Sequence, residues 1–98
     1  MDIKIVWTLR ARQDLREIST FIAKDNPPAA FKLGDLIFGR VDSLTVFPEL
    51  GQVVPERNQT NLREIVVKNY RIIYRLCPAK KTLEILRIWH GARGEPEV

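Results

Sequence analysis

Residues 62–76 read LREIVVKNYRIIYRL, and the reading of this stretch decides the fold. LREIVV at 62–67 and YRIIYRL at 70–76 are short runs rich in β-branched and aromatic residues, as expected of strands. Lys68 and Asn69 leave room for a two-residue hairpin, with Asn tolerating a positive φ. In the second strand Tyr70, Ile72 and Tyr74 fall on one face, and Arg71, Ile73 and Arg75 on the other. The turn CPAKK leads to a third strand, TLEILRIWH at 82–90. Sequential short connections predict an antiparallel meander.

Upstream, Ile3, Ile5, Trp7 and Leu9 alternate with Lys4, Val6 and Thr8, the period-2 signature of a first strand over 3–9. The period then changes. Ala11, Leu15, Ile18 and Ile22, with Phe21 beside them, form the apolar stripe of a helix that Thr8 can cap, while Arg12, Asp14, Arg16 and Glu17 face outward. KDNPP at 24–28 ends that helix, and its second proline suits the opening turn of another. The second helix is predicted from about Pro28 to Phe47, with Ala30, Leu33, Ile37, Val41 and Leu44 in its stripe, Leu36 and Phe47 widening it, and Pro48 ending it. Gly34 and Gly39 each cost about 1 kcal/mol relative to Ala inside a helix, so close packing is one reading and mere tolerance the other. PELGQVVPERNQTN at 48–61 reads as loop. The predicted class is α+β, in the order β-α-α-β-β-β, with a helical hairpin on an antiparallel sheet.

The 98 residues, 45% hydrophobic and 29% charged, describe one domain spanning 1–98. A chain this short removes only about two-thirds of its unfolded surface on folding, which leaves little mass for a deep pocket or a large cofactor. The lone Cys77 excludes an intrachain disulfide and a cysteine-ligated zinc site, and reads as a small buried hydrophobe in a reducing cytosol. No apolar run approaches the ~20 residues of a membrane span, and MDIKIVWTLR lacks signal-peptide features. A cytoplasmic protein is expected. Sequence motifs for phosphate loops, metal ligands and Ser/His/Asp triads are missing, so neither cofactor nor metal is expected. Trp7 and Trp89 are read as core strand residues before nucleic-acid stackers.

Charge is unevenly placed. Between Arg57 and Arg93 nine Lys or Arg stand against Glu64 and Glu84, whereas residues 1–56 carry seven bases and eight acids. The basic portion calls for an anionic partner or forms a solvated surface. If Tyr70, Ile72, Tyr74 and Leu76 lie under the helices, the Arg71 and Arg75 face is the one open to water, with Ile73 as an apolar centre. It reads either as an ordinary solvent face or as a docking face.

Taken in order, these features resemble the RelE/ParE superfamily of toxins from type II toxin–antitoxin pairs, and its ParE branch in particular. The matching residues are Ala11, Asp14, Leu15 and Ile18; Leu44, Pro48 and Gly51; Leu62, Arg63 and Glu64; Tyr70, Arg71, Ile73, Tyr74 and Arg75; and His90, Gly91 and Arg93. The resemblance implies one of two mechanisms, cleavage of ribosome-bound messenger RNA (RelE-like) or poisoning of DNA gyrase by binding (ParE-like), and fold alone does not separate them. Phosphodiester cleavage needs a base for the 2′-hydroxyl proton, an acid for the leaving oxygen and cations for the phosphate. Arg71 matches the position of a RelE phosphate-binding arginine and Arg93 falls near a second, but LREIVV puts Arg63 and Ile65 where lysines would be needed, and GEPEV has no tyrosine. Arginine is a poor base. His90 either ends the last strand with a bond to nearby backbone or pairs with Glu64 in catalysis; strand parity leaves open whether those two share a face.

The ParE-like reading therefore leads, with no catalytic residues. It assigns target contact to Arg71, Arg75, His90 and Arg93, grouped at one end of the sheet, and antitoxin contact to Phe21, Phe31, Phe38, Arg63 and Ile73. The implied partners are a ParD-like antitoxin, laying a helix across the hairpin and an acidic segment along the basic sheet, and DNA gyrase. DNA would be met only through those complexes.

Overall fold

The computed structural model describes residues 3–98. The chain runs β1 (Lys4–Trp7), α1 (Leu9–Ala23), α2 (Pro27–Ser43), β2 (Gln52–Val53), β3 (Leu62–Val67), β4 (Tyr70–Cys77) and β5 (Thr82–His90). Short 3-10 turns follow β4 at Pro78–Lys80 and β5 at Gly91–Arg93. The two helices pack on one five-stranded sheet of order β1-β5-β4-β3-β2.

The meander β3-β4-β5 is antiparallel throughout, but β1 lies parallel to β5, with Lys4 beside Thr82 and Trp7 beside Ile85. The sheet is thus mixed. Tight turns enforce antiparallel pairing only on strands that follow each other, and no such turn joins β1 to β5. A further departure is β2, two residues inside the predicted loop that pair with Arg63 and Glu64. At the β3–β4 hairpin it is Lys68, at φ 55, that takes the left-handed conformation expected of Asn69.

Local chemistry sets the helix boundaries. The Thr8 hydroxyl accepts from Ala11 N at 3.2 Å and donates to Ile85 O at 2.7 Å, so one side chain caps α1 and ties it to β5. Asn26 caps α2 by accepting from Ala29 N at 3.2 Å, with Pro27 and Pro28 in the first turn. The second helix stops at Ser43, earlier than predicted: Thr45 Oγ1 bonds the Asp42 carbonyl at 2.8 Å and turns the chain. Phe47 consequently misses the apolar stripe and is 62% exposed. Gly34 and Gly39 meet no neighbour within 4 Å of an added Cβ, so close packing within the chain is not their explanation. Gly51 differs, since a Cβ there would sit 2.7 Å from the Tyr74 hydroxyl.

The main core lies between helices and sheet, where Ala11, Ile37, Val41 and Leu44 meet Ile72, Tyr74, Leu83, Ile85 and Ile88. A bulge shifts register between Ile73/Tyr74 and their β5 partners, so Ile73 faces Arg87 and Tyr74 faces Ile85 with Leu86 left over. An inserted residue reverses the alternation beyond it, which lets Ile85 and Ile88, three apart, both serve the core. Trp7 is half-buried against this core, while Cys77 is half-buried and not sealed. On the opposite face Val54, Leu62, Ile73 and Trp89 form a second, smaller cluster.

Asp14, expected to face solvent, is buried. Its carboxylate accepts from Arg87 Nε at 2.8 Å, Arg87 Nη2 at 3.0 Å and the Ile88 amide at 3.0 Å. Beyond Trp7 the β5 edge has no neighbouring strand among the described residues, and this carboxylate supplies an acceptor that a strand would have provided.

Candidate functional site

Around Arg71 and Ile73 the arginine face is covered by the chain itself, while Val66 at its margin stays 55% exposed. Ile73 is 0% exposed under Val54 of the loop and beside Trp89, which corrects its reading as an apolar centre open to a partner. Arg71 donates through Nε to Glu64 Oε1 at 2.7 Å and through Nη1 and Nη2 to both oxygens of Glu56, at 3.0 and 2.8 Å. Its side chain keeps 14% exposure. This two-pronged hydrogen bond holds Glu56 far below its ordinary range, at about 2, and raises Arg71 above its own. Glu64, also buried, takes a bond from Gln52 Nε2 at 2.9 Å. The open arginine face expected from strand parity is therefore corrected: parity fixed the side of the sheet, but residues 48–61 fold back over that side.

The segment after β5 adds to this cover beside Trp89 and Arg87. Trp89 Nε1 donates to Gly94 O at 3.2 Å, Arg57 donates to Glu95 Oε2 at 2.8 Å and to Pro96 O at 3.2 Å, and Arg87 Nη1 donates to Glu97 O at 2.9 Å. Arg63, opposite Tyr74 on the helix side of the sheet, is also tied within the chain, with Nη1 donating to Gly51 O at 2.9 Å and Nη2 3.9 Å from Glu49 Oε2. Arg75 is the exposed member of the β4 pair, at 46%, with Glu84 4.0 Å away.

Arg71, Arg75, His90 and Arg93 were expected to share one end of the sheet. They divide instead. Arg71 pairs with Trp89 and Tyr70 with His90, while Arg75 pairs with Glu84 four residues further along β4, about 13 Å away at strand rise. His90 and Arg93 do come together, lining a cleft of about 340 Å³ between β5 and α1 with Tyr70, Glu17, Phe21 and Ile22. The His90 ring stands edge-on to Tyr70, with centroids 5.2 Å apart, and its Nδ1 accepts from Ala92 N at 3.0 Å. The Arg93 guanidinium lies 3.9 Å from the Trp89 ring centroid.

Glu64 and His90 occupy opposite faces. Glu64 faces Ile73 of the outer cluster, whereas His90 faces Tyr70, which packs on the helix-side core. The sheet separates them, and with Glu64 bound to Arg71 the envisaged Glu64–His90 pair cannot share a proton-transfer site.

The phenylalanines also divide. Phe31 and Phe38, 72% and 49% exposed, border a trough between α1 and α2, and Phe38 tilts against Trp7 with centroids 5.1 Å apart. Phe21, 68% exposed, lies on the other side of α1 in the His90 cleft. Among the described residues no cluster of three or more His, Cys, Asp or Glu is placed to hold a metal, and no helix is long and apolar enough to cross a membrane.

The model of the ParE toxin of the type II parDE toxin–antitoxin system matches residues 5–94. The chain belongs to the ParE toxin family. It is 37% identical over 97 residues to Y4kP of Sinorhizobium fredii, covering 97% of this chain and 95% of that one. It is also 36% identical over 90 residues to toxin RelE2 of Caulobacter vibrioides, covering 92% and 97% respectively. Among solved structures, the fold matches a chain of a chromosomal ParDE system from P. aeruginosa with TM-score 0.74 at 23% identity, over 90% of this chain and 95% of that one. A chain of the toxin–antitoxin complex RelBE2 from Mycobacterium tuberculosis matches with TM-score 0.60 at 24% identity, over 92% and 99%. This ParE-family chain is accordingly a type II toxin–antitoxin toxin of the ParE/RelE superfamily.

Proposed function

We propose that the protein is a cytoplasmic toxin that inhibits DNA gyrase by binding and is neutralised by a ParD-like antitoxin. One observation carries this reading: the chain's only histidine and Glu64, the carboxylate that a glutamate–histidine nuclease would pair with it, lie on opposite faces of the sheet, and Glu64 is committed to Arg71. Phosphodiester cleavage needs both proton transfers in reach of one phosphate. Binding needs only a shaped, charged surface. His90, Arg93 and the exposed Arg75 supply the target contacts, while Arg71 shapes that surface from within its carboxylate network. The antitoxin takes the helical hairpin at Phe31 and Phe38, by helix-in-groove recognition.

Expression of the toxin alone tests this, with growth, DNA breaks and transcript integrity scored together. The proposal expects growth arrest with gyrase-dependent breaks and intact messages; cleaved messages with undamaged DNA overturn it. The ribosome-dependent nuclease is the second reading, favoured by one feature: the His90 cleft contains Tyr70, Glu17 and Arg93, residue types able to exchange protons and bind phosphate. That reading expects message cleavage on ribosomes, lost in His90→Ala.

A further inference from the structure

Two adjoining hollows, of about 480 and 360 Å³, share Leu15, Ser19 and Phe38 and make a continuous trough over the helical hairpin. Gly34 lies in its lining, and an added Cβ there meets nothing within 4 Å among the described residues. A helix-interior glycine weakens a helix relative to alanine, and nothing within the fold offsets that loss. Close approach by a second backbone is the other use of glycine. The trough is bordered at one end by Arg12 and Arg16, both exposed and without an ion pair among the described residues. From Pro27 to Phe38 it runs for about 17 Å of helix, the length of roughly three turns.

We infer that Gly34 is the point of closest approach for an amphipathic helix of the antitoxin, whose backbone crosses over it while an acidic side chain meets Arg12 and Arg16. The inference rests on the antitoxin reading above and adds to it the residue that sets the crossing and the charge the partner must carry. An apolar helix with an acid at the Arg12 and Arg16 end fits this trough, whose other hollow is lined by Asp35; a base placed at the arginine end meets repulsion.

The test titrates the product of the open reading frame adjoining the gene into the purified toxin by calorimetry. Gly34→Ala should raise the free toxin's melting temperature by about 4 °C or more and weaken binding about tenfold, and Gly34→Leu should weaken it about a hundredfold or more with the circular dichroism spectrum retained. Gly39→Ala is the internal control, because Gly39 lies in the same helix but outside the trough. It should raise the melting temperature similarly and leave affinity unchanged. Arg12→Glu with Arg16→Glu should also weaken binding. Wild-type affinity in Gly34→Ala and Gly34→Leu overturns the crossing point while leaving the antitoxin reading intact; no binding by the unmodified toxin overturns both. Self-association of the toxin that disappears in Gly34→Leu would give the trough to a second copy and overturn the inference.

Discussion

Arg71 on the outer face of the sheet and Arg57 in the loop over it each hold at least two hydrogen bonds to carboxylates or carbonyls of the loop and tail, whereas Phe31 and Phe38, on the helical hairpin, are 72% and 49% exposed. Both regions read from the sequence as docking surfaces, and only one is unfilled. The difference teaches that a charged strand face next to a long acidic loop finds its counter-charges locally, because Glu49 and Glu56 are tethered at high effective concentration to the sheet they cover. Large apolar side chains on an outer helix face have no such tether. Nothing among the described residues fills that surface, which the proposed antitoxin would cover from outside.

The largest effect should follow from breaking the buried tie on which the closed side depends. Asp14→Ala leaves the Ile88 amide without its acceptor and Arg87 with the Glu97 carbonyl but no carboxylate, and loss of one partner of a buried pair typically costs about 3–5 kcal/mol. Urea unfolding should show a loss of this size, and a change below about 1 kcal/mol would mean that the pair is solvated. Second in size is Arg71→Ala, expected to destabilise by about 2–3 kcal/mol because it strands the buried Glu64. Phe31→Ser is the contrast within the same comparison: on the open hairpin it should change stability by less than about 0.5 kcal/mol while weakening the antitoxin complex. Equal losses in those two variants would erase the distinction between the surfaces.

The smallest effect is in the pH dependence. Glu56 has an ordinary pKa of 4.5 and a folded one of about 2, held down first by its hydrogen bonds to Arg71. A depressed carboxylate contributes stability that is fully present above the unfolded value and fades as pH falls from about 4.5 toward about 2. Denaturation curves across that window should be shallower in Glu56→Gln than in the unmodified chain. Identical acid limbs would place Glu56 free in solvent.

Hydrophobic period and turn chemistry made the helices, the β3–β4–β5 meander and the Thr8 cap legible. The parallel placement of β1 was not, since it depends on contacts between residues nearly 80 positions apart. Nor was the Leu86 bulge, which exchanges faces halfway along β5 and turns Trp89 to the outer cluster. The Arg71–Glu64 contact could have been found: a two-residue hairpin at 68–69 sets Val66 opposite Arg71 and Glu64 opposite Ile73, making Glu64 and Arg71 diagonal neighbours on one face. Glu56 left no comparable signal because a loop has no register. The sequence likewise grouped Arg75 with Arg71 by parity, which fixes a face but says nothing about distance along the strand.

The most direct test of this contrast is a double-mutant cycle on Arg71→Met and Glu64→Gln, read by urea unfolding of the free chain. A closed arginine face predicts a coupling energy of about 2 kcal/mol, as for partners in one buried network. Additivity within about 0.3 kcal/mol would mean that Arg71 faces solvent after all, available to a partner in the way Phe31 and Phe38 are.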